Sequence, residues 1–266
     1  MSACERALRG ARLLSGPSPR GHYGTWLANA ERRGVAPDVV VDIARRHRIG
    51  PDSFAVLAGM AVVTDPDSKS YFVIPPGTDG DDARRAVWLT YLLNAGTGYA
   101  KAAVRDFPET PYAVAEARRI SDRQRANRWS YRVIARTGAS LVATPAGILM
   151  GIGGTRVQGL FSRQGGTTWG DVFLLNIGPG ADPARLLRDV VESGVVWYHG
   201  GDGQPHPGRL DLDRLLHHEE RHCRQWAALG PLRMSAAYLA AEARARMFGG
   251  MNRFECDAGL GDGGYR

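Results

Sequence analysis

Within Leu215–Leu229 the chain reads LLHHEERHCRQWAAL, and His218-Glu219-Glu220-Arg221-His222 forms an H-E-x-x-H pattern. An α-helix turns about 100° per residue, so side chains four apart share one face. His218 and His222 can therefore offer two imidazole nitrogens to one metal ion. Glu219 follows the first histidine, where a carboxylate can take a proton from water beside that metal. His217 points away from this face and is expected to support the site or face solvent.

The flanks predict the helix that must carry these groups. Leu212, Leu215, Leu216, Trp226 and Leu229 recur at helical spacing, Asp211 or Asp213 can cap its start, and Gly230-Pro231 stops it. Upstream, Thr167 to Leu175 (TTWGDVFLL) reads as one strand. Downstream, Asn252-Arg253-Phe254-Glu255-Cys256-Asp257-Ala258 offers a third ligand, Glu255, with Asp257 as the alternative. Asn252 and Glu255 also fit a helix N-cap in which the Glu reaches back to the cap amide, so ligation and capping both stand as readings. Gln225, one turn beyond His222, is placed to orient a ligand. Tyr238, on an intervening helix and otherwise a core residue, and Tyr265, in the Gly-rich tail, could stabilise an oxyanion.

A helix with H-E-x-x-H, a break, a second helix and an N-x-x-E-x-x-A segment resembles the gluzincin branch of the zincin metallopeptidases. It is more closely similar to the short zincin-like domains of bacterial secreted and polymorphic-toxin proteins. Those often read H-E-x-x-H-x-x-Q, and Gln225 stands at that glutamine. The resemblance covers about residues 167–260. It implies Zn2+ held by His218, His222 and Glu255, with Glu219 as general base in peptide-bond hydrolysis. It also implies an α+β fold in which a small antiparallel sheet lies over the metal-binding helix and offers its edge strand to extended peptides. One departure is plain: the two residues between Glu219 and His222 are charged, Glu220 and Arg221, and need a salt bridge, solvent or an acidic neighbour. Glu220 is expected to pair with a surface arginine. The alternative to a peptidase is a zincin-like scaffold that binds metal or a partner without catalysis.

At 266 residues, 44% hydrophobic and 23% charged, the chain can build a substantial core. Phe107-Pro108-Glu109-Thr110-Pro111 is the best boundary, between a mostly helical region with one β-hairpin (1–110), which either packs as a separate domain or wraps the core of the other, and the metal-binding domain (111–266). Residues 1–21 read as a loose Arg/Gly/Ser/Pro arm. Helices are expected over Tyr23–Arg33, Pro37–Arg46, Asp81–Leu93, Pro111–Trp129 and Asp182–Glu192, with a short one from Phe54. Met60–Thr64 and Tyr71–Ile74 read as a hairpin and Ser140–Thr144 and Ile148–Ile152 as paired strands, with Val157–Phe161 and Val195–Tyr198 as further strands. Gly151-Ile152-Gly153-Gly154-Thr155 lacks the phosphate-loop spacing and reads as a turn. Gly200–Gly208 reads as a flexible loop flanked by His199 and containing His206.

The net charge is +7, and Lys69 and Lys101 are the only lysines. With the Ala and Gly load, this matches the coding bias of a high-GC bacterial genome such as an actinobacterium's. Residues 1–48 hold nine Arg against four acids; a solvated basic surface explains them, and no nucleic-acid motif accompanies them. Cys4, Cys223 and Cys256 are too few for a disulfide framework; the latter two follow His222 and Glu255 and read as small buried residues, or as neighbours if those two ligands converge. No signal-peptide core and no membrane-spanning run is present. The expected location is the cytoplasm, with signal-independent export open. Peptides or proteins are the expected substrates.

Overall fold

A computed structural model of the chain describes residues 1–99, 109–153, 166–177 and 182–265. Four strands are apolar on nearly every position: Ser70–Ile74 (SYFVI), Ser140–Ala143 (SLVA), Leu149–Ile152 (LMGI) and Val172–Leu175 (VFLL). Such strands must be covered on both faces. They form the middle of a six-stranded sheet in the order β1-β2-β3-β4-β6-β5, with β1 Val62–Thr64, β2 Ser70–Ile74, β3 Ser140–Ala143, β4 Leu149–Ile152, β5 Gly166–Trp169 and β6 Val172–Leu175. Neighbours are antiparallel except β4 and β6, which are parallel.

The helices form two layers. α1 (Ala3–Gly10), α2 (Gly21–Arg32), α3 (Pro37–His47), a 3₁₀ turn over Pro51–Leu57 and α4 (Gly80–Leu93) come first. α5 (Val114–Ala126) and α6 (Arg128–Ile134) follow. α7 (Pro183–Ser193), the hairpin β7 (Val195–His199) and β8 (Pro205–Asp211), α8 (Leu212–Leu229), α9 (Pro231–Phe248) and α10 (Arg253–Ala258) complete the chain. Alternate strand residues point to opposite faces. Accordingly Phe72, Ile74, Leu141, Ala143 and Leu149 join the core built with α1–α4, while Tyr71, Val142, Met150 and Phe173 join a second core with α7 and α8. The fold is thus α+β, with a mixed sheet between two helical layers. The sheet expected to be small and antiparallel is larger and mixed; the separate antiparallel pair is β7–β8.

The division expected at residue 110 runs through the sequence but not through the sheet. β2, before it, pairs with β3, after it, through Phe72–Ala143, Val73–Val142 and Ile74–Leu141. Residues 107 and 108 of the expected boundary lie outside the described residues, as do Val157–Phe161 and the end of the Gly151–Thr155 turn.

Several expectations change on contact with the fold. The first residues are not a loose arm: Ser2 caps α1, and Cys4 and Leu8 are fully buried against neighbouring helices. The single strand over Thr167–Leu175 is a hairpin, β5–β6, because Gly170 takes a φ of +64° between them; a Cβ there would also meet Ser130 at 2.5 Å. The basic helix over Pro111–Trp129 is two helices, α5 and α6, meeting at Asn127, whose amide donates to Asp171 and to the Cys223 carbonyl instead of facing solvent. Part of the Gly200–Gly208 loop is strand β8. Cys223 is buried as expected, but Cys256 is exposed, and both are free thiols. Among the described residues no helix is long and apolar enough to cross a membrane.

Candidate metal centre

α8 forms where expected. Asp211 caps it, accepting the Arg214 N–H at 3.0 Å, and Gly230 ends it with a φ of +74°. Its unusual feature is burial: His217, His218, Glu219, Glu220 and His222 are all at most 7% exposed. Buried polar groups must be partnered, and each of these is.

His218 and His222 turn their Nε2 atoms to one point, 3.0 Å apart. Glu255 Oε2, from the first turn of α10, completes a triangle at 3.2 Å from His218 Nε2 and 3.4 Å from His222 Nε2. A tetrahedral zinc site with bonds of about 2.0–2.1 Å has ligand–ligand edges of about 3.3 Å. The three atoms thus form one face of such a tetrahedron, and the donor set, two imidazoles and a carboxylate, suits zinc.

The far side of each ligand fixes its orientation. His218 Nδ1 donates to the Gly259 carbonyl at 2.9 Å, which leaves Nε2 facing the triangle. Gln225 fixes His222 in the same way. Its amide nitrogen donates to Phe254 O at 2.9 Å and Asp257 Oδ2 at 2.8 Å, which turns its oxygen to His222 Nδ1 at 2.8 Å. Both rings therefore turn Nε2 into the triangle, the nitrogen on which a metal ion would take the place of a proton. Glu255 receives the Tyr238 hydroxyl on Oε1 at 2.5 Å and the Tyr265 hydroxyl on Oε2 at 2.8 Å. Burial raises both phenols and the Glu255 charge raises them further, so both remain donors.

The electrostatics favour a cation in the triangle. Burial opposes a charge on Glu255, yet its bonds with His218 and His222 hold it far below the usual carboxylate range. Burial also opposes a proton on His222, but the Glu255 bond and the Glu219 charge outweigh it and lift that imidazole to about 9.

Glu219 stands outside the triangle, its Oε2 taking the Thr168 hydroxyl of β5. The same strand is tied to α8 by the Trp226 indole, which donates to Thr168 O at 3.1 Å. The two readings of the Asn252 segment separate cleanly. Asn252 makes the cap, accepting the Phe254 N–H at 3.0 Å, while Glu255 turns away to the histidines. Asn252 thus positions α10 and touches no ligand atom. Asp257 bonds Gln225 and Arg221 rather than joining the triangle. Tyr238 is partly buried and its hydroxyl is committed to Glu255, so the core reading holds only for its ring.

The two charges that depart from the zincin pattern are both resolved. Arg221 reaches Asp257 at 3.2 Å near the surface. Glu220 turns inward and is 2% exposed; its partner is not one surface arginine but three, Arg119, Arg224 and the buried Arg123. With Glu116 and Asp171, three carboxylates face three arginines there. His217 faces Asp262 at 3.2 Å. His206 pairs with Asp202 in the β7–β8 hairpin and has no part in the triangle.

Sequence reasoning missed the residues that wrap the triangle from the C-terminal turn. Asp262, fully buried, takes Arg214 Nε at 3.2 Å and anchors the turn to α8. Gly263 lies on the His218 ring so closely that a Cβ would sit 2.6 Å from Cε1. The available signal was the Gly-Asp-Gly-Gly-Tyr run ending at Tyr265, whose lack of side chains suits close approach. Thr168 left no signal in the sequence. Comparison with known proteins finds no matching family model, no matching curated protein and no matching solved structure.

Proposed function

We propose that this chain is a zinc-dependent hydrolase of peptide bonds, with a zincin-like arrangement of helix and edge strand at its centre. The observation that carries the reading is the triangle of His218 Nε2, His222 Nε2 and Glu255 Oε2, with both Nδ1 protons engaged elsewhere. A zinc ion held there would supply Lewis acidity, polarising a carbonyl and lowering the pKa of a bound water toward about 7. Glu219, oriented by the Thr168 hydroxyl, takes the proton of the attacking water and returns it to the leaving amine. β5 is the last strand of the sheet order, and its outer edge, unpaired among the described residues, can receive an extended peptide beside Glu219.

The direct test is metal content, followed by cleavage of a peptide library. Wild type should carry about one zinc per chain. His218→Ala should lose it, and Glu219→Gln should keep it while losing turnover. Undiminished turnover in Glu219→Gln would sink the mechanism.

One observation favours the second reading, a metal-stapled binding module. The 259–265 turn covers the triangle, with Tyr265 bonded to the third ligand and His218 only 3% exposed. Bound zinc together with an intact Glu219 and no cleavage in that library would select this reading.

A further inference from the structure

Lys69 is one of two lysines in a chain with 34 basic side chains of the Lys and Arg type, and it is 1% exposed. Its Nζ lies against Asp213 Oδ2 and 3.3 Å from Asp65 Oδ2. Asp65 belongs to the turn between β1 and β2, where its Oδ1 accepts the Lys69 N–H at 2.7 Å. Asp213 lies in the first turn of α8, 144 residues away. Lys69 and Asp65 are buried, at 1% and 5% side-chain exposure, and Asp213 is half-buried, at 13%. Around them are Val63, Tyr71 and Tyr99 of the second core, and the Tyr71 and Tyr99 hydroxyls find no hydrogen-bond partner among the described residues. Burial, then the charges of Asp213 and Asp65, pushes the Tyr71 phenol up, which places that ring beside the cluster.

As an ion pair this arrangement is poorly made. Arginine binds two carboxylates in a planar fork and is less costly to desolvate, and this chain uses arginine where Arg123 meets the buried Asp171 and Glu220. Two carboxylates against one ammonium also leave a negative charge in excess in a dry place. What lysine can do and arginine cannot is lose its proton and become a nucleophile.

We propose that Lys69 and Asp213 become joined by an intramolecular isopeptide bond, with Asp65 carrying the proton. The Lys69 ammonium passes a proton to the Asp213 carboxylate, and the freed Nζ attacks Asp213 Cγ. Asp65 takes a proton from that nitrogen and delivers it to the departing Asp213 oxygen. The C–O bond breaks, one water leaves, and a neutral amide replaces one positive and one negative charge. No oxidant, reductant or cofactor is consumed. Burial pushes the Asp213 carboxyl up to about 6, against the pull of Lys69, which favours the neutral acid that an amine can attack. Held groups react at effective concentrations of about 10⁵ M and above. The product fastens the β1–β2 turn to the first turn of the helix that carries the metal centre. Asp65 is left to accept the new amide N–H.

Intact-mass analysis of the full chain, with a tryptic map, tests this. Wild type should be one water lighter than its sequence mass. Trypsin should leave the bond after Lys69 uncut and release a branched peptide joining Lys69 to Asp213. Lys69→Arg and Asp213→Ala should both have their full sequence masses, and Asp65→Ala should stay unjoined with Lys69 and Asp213 intact. Wild type at its sequence mass, cleaved after Lys69, would overturn the proposal whatever the variants do. A joined Asp65→Ala protein would overturn the part given to Asp65.

Discussion

His222 presents Nε2 to the triangle only while its other nitrogen keeps a proton, and Gln225 is what keeps it there. The Gln225→Ala change removes the acceptor at 2.8 Å from His222 Nδ1 and both donor bonds that orient the amide, to Phe254 O and Asp257 Oδ2. The two neutral bonds contribute about 0.5–1.5 kcal/mol each and the bond to the Asp257 carboxylate about 1.5–3 kcal/mol, so the three together account for about 2.5–6 kcal/mol of folding stability. A metal ion in the triangle would feel the His222 bond alone. Loss of such an orienting partner weakens metal binding by about 10–100-fold, equivalent to about 1.4–2.7 kcal/mol. Competition against a zinc chelator of known affinity, at neutral pH and on protein shown to be folded, measures this directly. Gln225→Glu serves as the control, because it keeps an oxygen for His222 but sets a carboxylate against Asp257; its zinc affinity should fall between the other two. Gln225→Ala protein that binds zinc as tightly as wild type would refute the assignment of tautomers from which the centre is built.

Three other outcomes follow from the same geometry. Gly263→Ala should loosen zinc binding without unfolding the chain, because the new Cβ would press within 2.6 Å of the His218 ring; unchanged affinity would mean that the C-terminal turn yields freely. Burial opposes the Glu220 charge, but Arg123, Arg119 and Arg224 hold its pKa at about 2, below the ordinary 4.5. A folded pKa below the unfolded one stabilises the chain above pH 4.5, and that stability is lost as pH falls from 4.5 toward 2. Glu220→Gln should flatten the acid limb of urea-unfolding free energy in that window, and should cost about 1.5–3 kcal/mol at neutral pH, because Arg123 keeps Asp171 but loses its second carboxylate; an unaltered acid slope would count against the pairing. Asn252→Ala should cost about 1 kcal/mol through the lost cap, lowering the midpoint of thermal unfolding by about 2–4 °C, and should retain zinc. A loss of zinc as complete as that of Glu255→Ala would show that cap and ligand act as one.

What was legible in the sequence was what local spacing controls. The period of His218 and His222, the cap at Asp211 and the stop at Gly230 depend on residues within one helix, and the helix stands within three residues of where it was read. The same holds for Asn252, whose cap needs only the amide two residues on. Non-local partners were invisible. Glu220 reads as a surface charge because a carboxylate in an isolated helix belongs in water; only the arrival of α5 with Arg119 and Arg123 makes the interior the better place. Thr168 could not be assigned because its role depends on Gly170 folding Thr167–Leu175 into a hairpin whose outer strand meets Glu219. The boundary near residue 110 has a related cause. Composition marks where a chain is free to turn, but β2 pairs with β3 because each is apolar on both faces and needs a partner at each edge. The first region therefore supplies one covering layer of the sheet whose other face supports α8, and a substitution in α4 that loosens that layer would be felt at the candidate metal centre through β2 and β3 rather than through any contact with His218, His222 or Glu255.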